Sequence, residues 1–161
     1  MAAGQPFGLQ PGHTSAIRRI EGGMLSYHAD MDCHTNPYEL GLDRLVDLEM
    51  DADFIGKAAL QEIVRQGIRR KQVGIVIDGD ALIGANNEFW PIYVGEEKVG
   101  HVTSAIYSPR LKTNIALAMM SIEHSAIDTT AEIVTPSGRR SVKVVEKPFY
   151  DPKKSIASKA G

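Results

Sequence analysis

From residue 70 onward the chain is a succession of short runs rich in β-branched residues, and no other feature constrains its fold as much. The runs are "KQVGIVID" (71–78), "WPIYV" (90–94), "KVGHVTSAIY" (98–107), "TNIALAMM" (113–120), "TAEIV" (130–134) and "SVKVVEK" (141–147). Turn chemistry separates them, with Gly-Glu-Glu at 95–97 and Pro-Ser-Gly at 136–138. Runs of this length are too short for helices and match strands joined by tight turns. Six such strands in succession predict an antiparallel barrel or a sandwich.

The pattern upstream is different. In "DADFIGKAALQEIVRQG", Ile55, Ala59, Leu60, Ile63 and Val64 fall on one helical face. Asp53 or Asp51 can cap its start and Gly67 can supply a left-handed stop, so a helix is expected near 54–66. Between Ile17 and Leu48 short apolar runs are cut by polar loops, and "GMLSY" and "LGLDRLVDL" each fit a strand or a short helix. Residues 1–16, rich in Gly, Pro, Gln and Ser, read as a lead-in, and the polar, lysine-rich "DPKKSIASKAG" (151–161) as a frayed tail.

A length of 161 residues suits one domain, or one domain and a piece of another. The formal charge of -2 and the dispersal of Arg69-Arg70-Lys71, Arg139-Arg140 and Lys153-Lys154 argue against a nucleic-acid surface. No apolar run reaches the length of a membrane helix, and the start lacks the features of a secretion signal. The lone Cys33 has no partner within the chain. A cytoplasmic setting is expected.

The stretch "SYHADMDCHTNPYEL" (26–40) gathers residue types that bind transition metals. A structural zinc site wants four ligands with paired spacings, and a catalytic one three with an open position. A single cysteine and two histidines six positions apart meet neither template, so no metal is expected.

Four segments carry a family resemblance: "IRRIEGGMLSYHADMD", "NPYELGLDRLVDLEMDADFIGKAAL", "VGHVTSAIYSPRLKTNIALAMM" and "VEKPFY". In order and spacing they resemble the carboxy-terminal portion of the glycine cleavage T-protein (aminomethyltransferase) family, over about Ile17 to Tyr150. "IEGGMLSY", "WPIYVGEEKVGHVTSAIYSP" and "TPSGRR" look most similar to the branch that contains dimethylsulfoniopropionate demethylase. The resemblance implies an α+β chain, the end of a folate-binding α/β region (17–69) followed by a small antiparallel six-stranded β-barrel (70–150). It also implies tetrahydrofolate as cofactor and one-carbon transfer as the reaction.

Site residues follow from the same motifs. Glu21 matches the glutamate that recognises the pterin, after an arginine-containing strand; a pterin edge offers a ring N–H and an exocyclic amine, which suit the two oxygens of a carboxylate. Outside this motif the simpler reading is a surface pair with Arg18 or Arg19. Arg19 matches the motif arginine and has three readings: orienting Glu21, meeting the folate glutamate tail, or forming a local ion pair. Tyr27 matches an aromatic that either walls the pterin or simply packs. Tyr107 is expected in a loop, facing the channel or closing the barrel, with Arg110 and Lys112 beside it to attract carboxylates or to be solvated. His28 stands where the family often has glycine.

The family's essential aspartate belongs to an amino-terminal half with no counterpart here. Asp30, Asp32, Asp43, Asp47 and Asp51 are read as solvated or capping residues rather than its replacement. The expectation is therefore part of a tetrahydrofolate-dependent methyl- or aminomethyltransferase, inactive alone, with no catalytic residue of its own. Its partners would be folate and the missing amino-terminal half or a partner subunit, and an exposed apolar face could support a homodimer. The alternatives are a non-catalytic folate-binding or assembly module and a metal-binding β protein.

Overall fold

The six β-rich runs form six strands: β1 (Arg70–Ile77), β2 (Trp90–Val94), β3 (Glu97–Ser108), β4 (Thr113–Ser121), β5 (Thr130–Thr135) and β6 (Gly138–Val145). In the computed structural model, which describes residues 2–9, 15–153 and 155–158, they close into an antiparallel barrel in the order β1-β4-β3-β2-β5-β6. Closure comes from β1 meeting β6, with Gly74 opposite Val145 and Ile77 opposite Val142. A closed barrel leaves no unpaired strand edge to recruit another chain. Of the two all-β architectures open to the sequence, the barrel is the one adopted.

Strand alternation builds the interior. Val73, Ile75 and Ile77 of β1 meet Ala116, Ala118 and Met120 of β4, with Val99, Val102 and Ala105 of β3, Trp90 and Ile92 of β2, Ile133 of β5, and Val142 and Val144 of β6 completing the core. The uninterrupted apolar run in β4 reflects burial on both faces. Its alternate residues Ile115 and Leu117 point outward, where Ile20, Leu25, Ile106, Leu111 and Phe149 cover them in a second cluster.

That cover is supplied by a short helix, α1 (Ala16–Glu21). Ser15 caps it by accepting a bond from the Arg18 amide, and α1 packs on β3 and β4. Arg18, Arg19 and Glu21 were expected after or within a strand; they lie in this helix, because its apolar Ile20 must reach the outer face of β4. "GMLSY" forms a turn and an isolated bridge between Tyr27 and Met31, and "LGLDRLVDL" only a 3₁₀ turn at Asp43–Leu45.

The second helix, α2, runs Lys57–Gln66. It starts three residues later than the apolar pattern suggested, after Gly56, and no side chain caps it; Asp53 instead accepts from the adjacent Phe54 amide. Gly67 ends it at φ 77, the left-handed region where a residue without Cβ is favoured. None of its residues is buried; Val64 is half exposed, and Ile55 just before the helix is fully exposed. The amphipathic pattern is real, but it is only partly covered: Leu60 lines a shallow cavity with Leu45, Val46, Met50 and Phe54, while Val64 stays exposed.

Parts of both chain ends lie outside the described residues, namely 1 and 10–14 of the lead-in and 154 and 159–161 of the tail. Within the tail, expected to fray, Ser155–Ser158 forms one helical turn, α3. Asp151 caps it by accepting bonds from the Ser155 and Ile156 amides.

The tightest backbone approach is at Gly100. A Cβ there would lie 2.2 Å from the Met119 carbonyl oxygen and 2.9 Å from the Met120 Cα of the paired strand. Relief requires moving β3 away from β4, so Gly100→Ala should destabilise the chain by about 2–3 kcal/mol. Urea denaturation of the two proteins measures the difference.

Candidate functional site

Two buried carboxylates flank the outer face of β3, and they differ sharply in how they are satisfied. Asp30 is 2% exposed and Glu21 4%.

Asp30 is saturated. Its Oδ2 accepts from Arg19 Nη1 at 2.5 Å and from the Ser26 amide at 2.9 Å; its Oδ1 accepts from Thr103 Oγ1 at 2.6 Å and Ser104 Oγ at 2.7 Å. A β-bulge makes this possible. Val102 opposes Ala118 while Ser104 opposes Leu117, so Thr103 is an extra residue, and two consecutive hydroxyls reach one face of the strand. Asp30 is thus neither solvated nor a helix cap, the two roles expected for it from sequence. The signal available was the polar Thr103-Ser104 pair set between the apolar Val102 and Ala105.

Arg19 belongs to this network. Besides Asp30 it donates to Ser104 Oγ at 2.8 Å and the Met24 carbonyl at 3.0 Å. It does not engage Glu21. Of the readings open to it, the local ion pair is the one formed.

Glu21, the last residue of α1, has much emptier surroundings. Oε1 accepts a bond from Ser108 Oγ at 2.6 Å. Among the described residues the nearest cation to Oε2 is Arg110 Nη1 at 4.0 Å, too far for a hydrogen bond. Arg110 lies over the Tyr150 ring, 4.1 Å from its centroid, and the Tyr150 amide donates to the Glu21 carbonyl at 3.1 Å. Ser108 holds the strand end in shape as well, since its Oγ accepts from the Leu111 amide at 3.1 Å. Nothing in the sequence pattern pointed to Ser108 or Tyr150 as neighbours of Glu21; the pairing is separated by 87 positions for Ser108.

The remaining two expected residues lie elsewhere. Tyr107 sits within β3 rather than in a loop, paired with Asn114, and strand alternation sends it to the face opposite Ser108. Tyr27 is 55% exposed and lines a cavity of ≈ 420 Å³ with His28, Asn86 and Phe89. Its ring meets His28 edge-on at 4.4 Å. His28 has φ 71, a left-handed conformation that a residue with a Cβ adopts at a cost and that explains why glycine suits this turn.

The 26–40 stretch is spent on structure. His28, Asp32 and His34 line a cavity of ≈ 280 Å³ with Arg70, Phe89 and His101, and Cys33 is exposed and free. Burial, with the Lys98 and Arg70 charges, pushes the His101 pKa down, favouring the neutral ring. Among the described residues no group of three or more His, Cys, Asp or Glu side chains is placed to hold a metal ion. Glu39 instead anchors the segment to the barrel, accepting from Arg70 Nε at 2.9 Å while its carbonyl accepts the Gln72 amide at 2.7 Å.

Lys147 closes the same side, its ammonium donating to Gln72 Oε1. Burial lowers its pKa to about 8, Asp30 opposing the shift and Lys71 adding to it.

The closed six-stranded antiparallel barrel defines the class of domain. Residues 70–151 match the model of the glycine cleavage T-protein C-terminal barrel domain, and residues 1–50 that of the GCVT N-terminal domain. The chain belongs to the glycine cleavage T-protein family. It is 39% identical over 145 residues to the dimethylsulfoniopropionate demethylase DmdA of Ruegeria pomeroyi, covering 90% of this chain and 39% of that protein. It is also 39% identical over 153 residues to the aminomethyltransferase of Symbiobacterium thermophilum, covering 93% and 40%. The crystal structure of glycine cleavage system aminomethyltransferase T from Bartonella henselae shares the fold, with a TM-score of 0.75 at 21% identity over 84% of this chain and 38% of that one. The chain thus spans about two-fifths of the relatives it matches. Among the described residues no helix is long and apolar enough to cross a membrane.

Two outcomes follow. Asp30→Asn leaves Arg19 without its carboxylate and should cost about 3 kcal/mol in urea unfolding. For Lys147 the folded pKa is lowered, so the unfolded chain binds more protons between about pH 8 and 10.5 and stability rises with pH across that window. Between pH 8 and 10 the wild type should therefore gain about 1–2 kcal/mol relative to Lys147→Met, measured by urea unfolding of both.

Proposed function

We propose that this chain is the pterin-recognising and barrel-forming part of a tetrahydrofolate-dependent methyl- or aminomethyltransferase acting in the cytoplasm, with Glu21 as the pterin-binding residue. One observation supports the reading: Glu21, whose motif resembles that of the family's pterin glutamate, is buried, yet among the described residues its Oε2 has no donor within hydrogen-bond distance. A largely buried carboxylate with one protein bond keeps acceptor capacity that a ligand can use. Asp30, equally buried, makes four bonds and has no such capacity.

The pterin edge fits the deficit. Its ring N–H and exocyclic amine are parallel donors for a carboxylate. When bound, tetrahydrofolate supplies the nitrogen that accepts the one-carbon unit from a sulfonium methyl or an aminomethyl donor. Glu21 and Ser108 contribute orientation, and the gain from such holding is one of proximity. We assign no catalytic residue to this chain and place the donor contacts and the acid-base group in the remainder of a longer protein or a partner subunit. The exposed apolar residues Leu45, Met50, Ile55 and Val64 in and before α2 suit packing against that remainder.

Calorimetric titration of tetrahydrofolate into the chain and into Glu21→Gln tests the proposal. The amide replaces an acceptor oxygen by a donor, so binding should weaken about 10- to 100-fold. Equal binding by the two proteins, or saturable binding by neither, would remove Glu21 from the site.

A further inference from the structure

We infer that Arg110, stacked on Tyr150, is a displaceable plug of the Glu21 site, occupying in the free protein the position that a planar N–C–N donor edge takes in the complex. This inference rests on Glu21 being the pterin residue and adds the means by which its site is held closed.

The argument begins with geometry. Ser108 fixes one oxygen of Glu21 at 2.6 Å, and Arg110 Nη1 is the cation facing the other at 4.0 Å. The Glu21 side chain is only 5% exposed, whereas that of Arg110 is 52% exposed. The arginine is thus the solvent-facing member of the pair and the carboxylate the buried one. At 4.0 Å the pair has the attraction of opposite charges without the hydrogen bond that would lock it.

Tyr150 supplies the second hold. The guanidinium rests on its ring face at 4.1 Å, a contact available to any flat cation. Tyr150 itself is tied to the end of α1 through its amide and the Glu21 carbonyl, 3.1 Å apart. The ring and the carboxylate thus belong to one rigid corner, while Arg110 reaches it from the turn between β3 and β4.

Chemistry makes the arginine a mimic. A guanidinium is a planar N–C–N fork of donors, matched to a carboxylate and able to stack on an aromatic face. A 2-amino-pyrimidinone ring edge carries the same N–C–N array. A ligand of that class gains the hydrogen bonds that Arg110 is too distant to make and sits against the same carboxylate. Arg110 would have to swing out, which its exposure permits. A second site for the folate glutamate tail is a different role for Arg110, and it predicts the opposite sign.

The test uses this chain as wild type, Arg110→Met, Glu21→Gln and the double variant, titrated calorimetrically with tetrahydrofolate and with a tetrahydropterin lacking the glutamate tail. Methionine keeps the unbranched stem without the charge, and circular dichroism verifies folding at the partly exposed position. Arg110→Met should bind the tail-less tetrahydropterin about fivefold more tightly than wild type, the size of a lost weak ion pair and stacking contact. Both Glu21→Gln proteins should lose that binding. Equal affinity of wild type and Arg110→Met, with Glu21 still required, overturns the plug and leaves the pterin assignment standing. Weaker binding by Arg110→Met also overturns it and makes Arg110 a ligand contact. Binding by none of the proteins, or binding indifferent to Glu21, overturns the plug together with the pterin assignment.

Discussion

Donors from three parts of the chain converge on Asp30, and the placement of the whole amino-terminal segment follows from that convergence. Arg19 comes from α1, Ser26 from the turn after it, and Thr103 and Ser104 from the bulge in β3. A buried carboxylate is costly to bring out of water and is tolerated when its lone pairs are filled and a cation balances it. With those conditions met, the network fixes residues 19–30 on the outside of the barrel in one arrangement. Glu39 and Arg70 repeat the principle further along, at the entrance to β1.

The apolar contacts depend on this placement as much as they add to it. Ile20 can cover Ile115 and Leu117 only if α1 sits across β4, and α1 is too short to hold itself there by helix formation alone. The same constraint sets Glu21 one residue further along, at the end of the helix and against Ser108. Glu21 is thus positioned by a structural network in which it takes no part. Satisfaction separates the two acids: four bonds make Asp30 an anchor, while one bond and an arginine just out of reach leave Glu21 able to accept more.

The barrel was legible because its evidence is local. Runs such as "WPIYV" and "TAEIV" alternate, and the turns at 95–97 and 136–138 are written in glycine, proline and serine. The α2 period was equally clear, although its cap was not: Gly56 precedes the helix, and Asp53 spends its side chain on the neighbouring amide. Segments whose shape depends on distant contacts were ambiguous. "GMLSY" and "LGLDRLVDL" have no regular structure of their own because polar anchors such as Asp30 and Glu39, rather than an apolar period, hold their surroundings. Asp30 looked like a loop residue for the same reason, two of its four partners lying 73 and 74 positions away.

The sequence by itself determined six strands, one amphipathic helix, the family through four spaced motifs, and Glu21 as a residue of interest, since each is encoded in neighbouring residues or their spacing. Tertiary structure decided that the strands close into a barrel and that the arginine-rich segment is helical. It also decided that Arg19 serves Asp30 instead of Glu21, that Tyr107 lies within β3 on the face opposite Ser108, and that Tyr27 lines a cavity with His28 and Phe89. Those outcomes turn on which hydroxyl, carboxylate and guanidinium groups meet across long separations in sequence. A one-residue bulge in β3 directs two of the donors, and no local pattern of hydrophobicity records it.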